Sequence, residues 1–237
     1  EAAGFSPVAL DALMQLSRFD VLSDADMVRA QRAAMLDPGA PNPSVEAILH
    51  ALIPFRFVDH THADAVVTLT NTPGGEARIR ELYGDRLLVV PYVMPGFVLA
   101  RKVAQMTAGI DWTTLQGMVL MNHGIFSFAD DARESYTRMI DLVTEAEQAL
   151  GATSIPTIGQ SSASALELAT IRYEVSRAAN RSMLAAFSGS PQSHCFSKRD
   201  DVASIATRGP LTPDHVIRTK RVPLIVNDNP AGAVAKF

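Results

Sequence analysis

The stretch GMVLMNHGIFSFAD, residues 117–130, constrains the fold more than any other part of the chain. Two apolar runs flank Asn122-His123-Gly124, and a short Gly-containing turn between such runs reads as a hairpin of two buried strands. A hairpin in the middle of the chain means that the sheet cannot be purely parallel.

The segments around it alternate strand and helix. Ser6 and Pro7 have the chemistry of an N-cap and first helical residue, for a helix running to Leu16. Ser23 opens a second helix with acids in its first turn. Residues 37–43, DPGAPNP, are turn chemistry, and Ser44 then caps VEAILHALI, whose apolar residues fall at helical spacing. FRFVDHTH reads as a strand from about Arg56, entering a helix near Ala63. A helix follows Gly74–Gly75, then the apolar strand RLLVVPYV, then a helix with Pro95 at its start. Asp130 opens a long amphipathic helix.

After Gly151 the texture changes. GATSIPTIGQSSAS is linker-like, ALELATIRYEVSRAANR is helical, FSGSPQSHCFSKRD reads as loop, and GPLTPDHVIRTKRVPLIV ends in a short strand-like run. Alternating strands and helices predict an α/β layered fold. We therefore expect a single domain over residues 1–237, with core motifs at 41–150 and helical and extended segments over 151–237.

Composition limits the partners. The chain is 47% hydrophobic and 19% charged, enough for a sizeable core. Its net charge of −4 gives no electrostatic reason to expect nucleic acid or an anionic membrane surface. No apolar run approaches the roughly 18 residues of a membrane helix, and the first residues lack the pattern of a signal peptide. Cys195 is the only cysteine, which fits a reducing cytoplasmic setting. The first residue is not methionine, so the chain is expected to be trimmed or to begin inside a longer one.

The chemistry concentrates in histidines, of which there are six. His60 and His62 are two apart, and in a strand such residues project from one face. Neutral imidazole is the commonest metal ligand, yet paired surface histidines are also ordinary. His123 strengthens the metal reading, because burying an unpaired imidazole at a strand end costs about 1–3 kcal/mol. Its bland alternative is a turn histidine capped by a carbonyl. Glu46 stands in the first turn of a helix before His60, where it can be a ligand, a general base or only a dipole-favoured acid. His50, one turn on, reads as a partner or a partly buried structural residue. Asp59 and Asp64 are either supporting carboxylates or solvent-facing ones. His194 and Cys195 lack a third partner for nucleophilic chemistry. His215 lies in a basic segment with Arg218, Lys220 and Arg221, suited to a phosphate or carboxylate or to an ordinary charged edge strand. His215, Arg218 and Asn122 are candidate substrate contacts.

In order, Ser44-Val45-Glu46, His60-Thr61-His62 and His123-Gly124 make the chain resemble the class II aldolase/adducin family, over about residues 41–150. RFVDHTHADA, VPYVMPGFVLA and TPDHVIRTK further resemble the aldolase half of bifunctional proteins that join a rhamnulose-1-phosphate aldolase to a short-chain alcohol dehydrogenase. No G-x-G-x-x-G occurs here, so the likeness covers the aldolase half alone. The resemblance implies a three-layer α/β/α fold around a mixed, largely antiparallel sheet, and a homotetramer. It implies Zn²⁺ on His60, His62 and His123, with Mn²⁺, Fe²⁺ or Co²⁺ as other ions that suit three imidazoles. Glu46 would be the acid/base. The family's Gly/Asn/Ser-rich phosphate loop has no counterpart before residue 37. Tyr83 and Tyr92 are the candidates for a tyrosine that some members supply from a neighbouring subunit.

The implied reaction is cleavage of a ketose 1-phosphate, rhamnulose-1-phosphate-like, to dihydroxyacetone phosphate and an aldehyde. Breaking that C–C bond leaves charge that a Lewis acid on the carbonyl oxygen stabilises, while Glu46 moves the proton at the adjacent carbon. A sugar-phosphate 4-epimerase or dehydratase on the same fold is the enzymatic alternative. A non-catalytic adducin-like interaction module is the other, and it would have no reason to keep the histidines.

Overall fold

The structure is a computed structural model of the 237-residue chain and describes residues 4–151, 164–211, 220–227 and 229–237. The chain divides into two compact units, residues 1–151 and 152–237.

The first unit is built on four strands: β1 (Phe57–Thr61), β2 (Leu87–Val90), β3 (Gly117–Leu120) and β4 (Gly124–Ala129), in the order β1-β4-β3-β2. β1–β4 and β4–β3 pair antiparallel and β3–β2 pair parallel. The sheet is therefore mixed and largely antiparallel, and β3–β4 is the hairpin expected from the apolar runs. Every residue of β3 and β4 is buried. That requires cover on both faces, which the helices supply.

On one face lie α4 (Asp64–Thr70), α5 (Gly75–Tyr83) and α7 (Ala132–Leu150). Val66, Ile79 and Leu142 from these helices pack with Val119 and Ile125. On the other face, α3 (Ala47–Leu52) and α6 (Phe97–Met106) bring Leu49, Leu99 and Val103 against Met118, Phe126 and Phe128. A smaller core joins α1 (Leu10–Leu16) and α2 (Asp24–Ala33) to α3 and α6 through Met27, Ile48 and Phe97. The result is the expected three-layer α/β/α arrangement.

Local signals explain most boundaries. Ser23 accepts a hydrogen bond from Asp26 N–H and starts α2. Asp131, rather than Asp130, caps α7 by accepting from Glu134 N–H, while Asp130 accepts from Arg56 N–H. The first helix begins at Leu10, later than Ser6-Pro7 suggested. Ser6 instead donates to the Pro41 carbonyl, and Val8 bridges Met35, so this segment is extended.

The second unit contains α8 (Ala165–Ala178), α9 (Pro191–Ser197), α10 (Val202–Ala206) and a last helix, Pro230–Lys236. α8 starts on a full capping box between Ser164 and Glu167. α9 corrects the loop expected over FSGSPQSHCFSKRD: Ser190 caps it and Pro191 takes the first helical position. The strand-like run near residue 225 forms no strand. None of these helices holds a buried residue. The linker-like stretch after Gly151 lies almost wholly outside the described residues. No helix among the described residues is long and apolar enough to cross a membrane.

Candidate metal centre

Three elements converge at one end of the sheet in the first unit. β1 carries His60 and leads directly to His62. The turn between β3 and β4 carries His123, and Glu46 is the residue just before α3. One donor atom from each of Glu46, His60, His62 and His123 lies within 4.8 Å of every other.

The register of the sheet makes this possible. His60 stands opposite Phe126, and Thr61 opposite Ile125, so the end of β1 meets the start of β4. His60 Nδ1 lies 3.0 Å from the Ile125 carbonyl. It must be the protonated nitrogen of a neutral ring donating to that oxygen, which leaves Nε2 with its lone pair free. That Nε2 is 3.0 Å from His62 Nε2 and 3.3 Å from Glu46 Oε2. On the far side, His123 Nε2 is 3.0 Å from Glu46 Oε1.

Asn122, at φ 58°, supplies the left-handed residue of the turn. Its amide donates to the Thr70 carbonyl and to Asn71 Oδ1, which ties the turn to the end of α4. Gly124 was expected to serve the turn, but it is the first residue of β4 and serves the site instead. A Cβ there would lie 2.6 Å from the Thr61 carbonyl, 2.8 Å from His62 Cδ2 and 2.9 Å from His60 Cε1. The two imidazoles lean into the space that a side chain would fill.

The electrostatics favour lone pairs over protons. Burial pushes His60 down to about 4, against the opposing pull of Glu46, with His62 and His123 lowering it further. For Glu46, burial would raise the carboxyl. Contact with His123 and the charges of His60, His123 and His62 outweigh that and hold it below its usual value. At neutral pH the carboxylate is therefore ionised and the His60 imidazole beside it is neutral.

The residues fit a divalent ion. Glu46 Oε1 is buried without a hydrogen bond, although His123 Nε2 lies 3.0 Å away. Such an orphaned polar atom is costly unless something else satisfies it. Donors around a tetrahedral zinc stand about 3.3 Å apart, given zinc–nitrogen bonds near 2.0–2.1 Å. The His60–His62, His60–Glu46 and His123–Glu46 separations of 3.0–3.3 Å are close to that spacing, within a cluster whose donors lie up to 4.8 Å apart.

Other residues singled out by sequence fall elsewhere. Asp59 accepts from Ser135 Oγ at 2.6 Å and so braces α7 against β1. Asp64 sits exposed in the first turn of α4. Tyr83 is buried with its hydroxyl donating to the Leu142 carbonyl, which removes it as a residue offered to another subunit; Tyr92 is half exposed. His194 and Cys195 lie on α9. His215 and Arg218 fall outside the described residues. The support around His60 was not legible beforehand: Phe126 stacks on its ring at 4.1 Å and 19°. The only signal for it was the strand alternation that puts His60 and Phe126 on one face.

Comparisons with known proteins bear on the family and the fold. The family model described as the class II aldolase and adducin N-terminal domain matches residues 15–150, and that of the aldolase class II second domain matches residues 162–237. An uncharacterized oxidoreductase, YuxG, of Bacillus subtilis (strain 168) is 29% identical over 243 residues, covering 97% of this chain and 35% of its own. The chain thus spans about a third of the length of this curated relative. The solved N-terminal class II aldolase domain of a conserved protein from Thermoplasma acidophilum is 37% identical, with a TM-score of 0.56. That match covers 63% of this chain and 68% of that one.

Proposed function

This chain belongs to the class II aldolase and adducin family, and we propose that it is a metal-dependent lyase cleaving a ketose 1-phosphate to dihydroxyacetone phosphate and an aldehyde. The carrying observation is the convergence of Glu46, His60, His62 and His123 from three elements with donor atoms within 4.8 Å. An adducin-like module that only binds partners has no use for three buried or half-buried imidazoles around an ionised carboxylate.

In this reading His60, His62 and His123 hold a divalent ion, Zn²⁺ suiting the donor set best. The ion supplies a Lewis acid for the substrate's carbonyl oxygen. The chain supplies the rest. The Ile125 carbonyl fixes the His60 tautomer, so its Nε2 faces the site. Glu46, ionised and within reach of two imidazoles, takes up or returns the proton at the carbon beside the carbonyl. The resemblance to rhamnulose-1-phosphate aldolase fusion proteins makes a 6-deoxyketose 1-phosphate the first substrate to try, and a homotetramer the assembly to look for. Asn122, His215 and Arg218 are the proposed substrate contacts.

Elemental analysis of protein grown with zinc should give about one ion per chain, as a three-histidine site requires. Purified protein should then release dihydroxyacetone phosphate from at least one ketose 1-phosphate, and H62A should lose both metal and activity. Metal-loaded protein inactive on a panel of such sugars would refute the lyase reading. Product analysis separates it from an epimerase or dehydratase.

A further inference from the structure

We infer that His50, which the proposed chemistry does not use, is a positioning residue that holds the His60 imidazole toward the metal. This rests on the reading of the cluster as a metal centre.

His50 lies on α3 one helical turn after Glu46, and its N–H donates to the Glu46 carbonyl at 3.0 Å. Its ring meets the Phe126 ring at 5.2 Å and 62°, and the His60 ring at 6.4 Å and 81°. Phe126 is fully buried and lies flat against His60. The three rings form one contact set, with edge-to-face and stacked geometries that favour fixed angles. The Ile125 carbonyl fixes His60 within the plane of its ring. The contacts from Phe126 and His50 oppose rotation out of that plane. His60 Nε2 is thereby aimed before any ion arrives.

The surroundings of His50 make the role specific. No hydrogen bond joins its ring nitrogens to another described residue, so its geometric contacts with the site are the ring contacts to Phe126 and His60. His50 also lines a solvent-open cavity of about 400 Å³, shared with Ser44, Ala47 and Ala51. Truncation would join its volume to that cavity and give His60 room to swing away from the cluster.

The test is zinc affinity, measured by competition with a chromogenic chelator on wild type, H50A, H50L and H50F, beside the thermal midpoint of each metal-free protein. Residues that orient a metal ligand typically govern metal affinity by about 10–100-fold. H50A and H50L should weaken zinc binding within that range, while H50F, which restores a planar ring, should recover most of it. A ring that merely fills space would lower the metal-free midpoint and leave affinity alone. H50L carries the test if H50A does not fold. Zinc binding by H50L as tight as wild type, or by H50F as weak as H50L, overturns the proposal. Failure of the wild type to bind zinc would instead refute the metal centre itself.

Discussion

Gly124 and His60 show how single residues shape the site. At Gly124, a methyl group would meet the Thr61 carbonyl, His62 and His60 at 2.6–2.9 Å. One neighbour is backbone in a paired strand and cannot retreat, so the imidazoles must. G124A should therefore lower zinc affinity by at least about tenfold, the scale on which misplaced ligands act; near-wild-type affinity would show that the rings yield freely. His60 makes a second prediction. Its ordinary value of 6.5 falls to about 4 on burial. Between those values the unfolded chain takes up a proton that the folded chain refuses. Stability from this group is complete above about pH 6.5, declines as pH falls toward 4, and levels off below. One proton bounds the slope at about 1.4 kcal/mol per pH unit. Urea unfolding of the metal-free protein from pH 7 to pH 4 should show the decline, and a flat profile would mean that His60 is not buried neutral.

At the scale of elements, β1 does two jobs with its two faces. His60 points toward Phe126 and His50, while the adjacent Asp59 points to the opposite face and accepts from Ser135 at the start of α7. S135A removes a buried hydrogen bond to a carboxylate and should cost about 2 kcal/mol in chemical denaturation. Zinc affinity should not change, because strand alternation separates the two jobs; a large loss of affinity would mean that the faces are coupled. Elements of this kind were legible in sequence where their signals are local. Ser23 marked α2, and the apolar runs around Asn122-His123-Gly124 marked β3–β4. The start of α1 was misread because Pro7 and Val8 find partners in residues 35–36, a contact that no local signal encodes. The helix α9 was missed because seven residues are too few for periodicity to emerge, although Ser190-Pro191 was a usable start signal.

At the scale of the whole molecule, the identities of the site residues were readable and the family resemblance implied their meeting, but the strand register that produces it was not readable. Glu46, His60, His62 and His123 stood out because imidazole and carboxylate are the groups that such chemistry needs. Their convergence depends on β1 pairing with β4 in a register that joins residues 57–61 to residues 125–129. The second unit was less legible: of its described helices only α8 was expected, none has a buried residue, and sequence assigned the unit no core motif. The convergence has a thermodynamic consequence. The four donors come together only when the sheet forms, so an ion that uses them binds the folded chain and not the unfolded one. Such an ion stabilises the fold by RT ln(1 + [L]/Kd), about 2.7 kcal/mol at a hundred times Kd. Zinc titrated into metal-free wild type should raise its thermal midpoint steadily with concentration, and H62A should show little of the rise. An equal rise in H62A would place the stabilising ion elsewhere, because H62A takes one donor from the cluster at a residue beyond the paired span of β1, leaving the sheet intact.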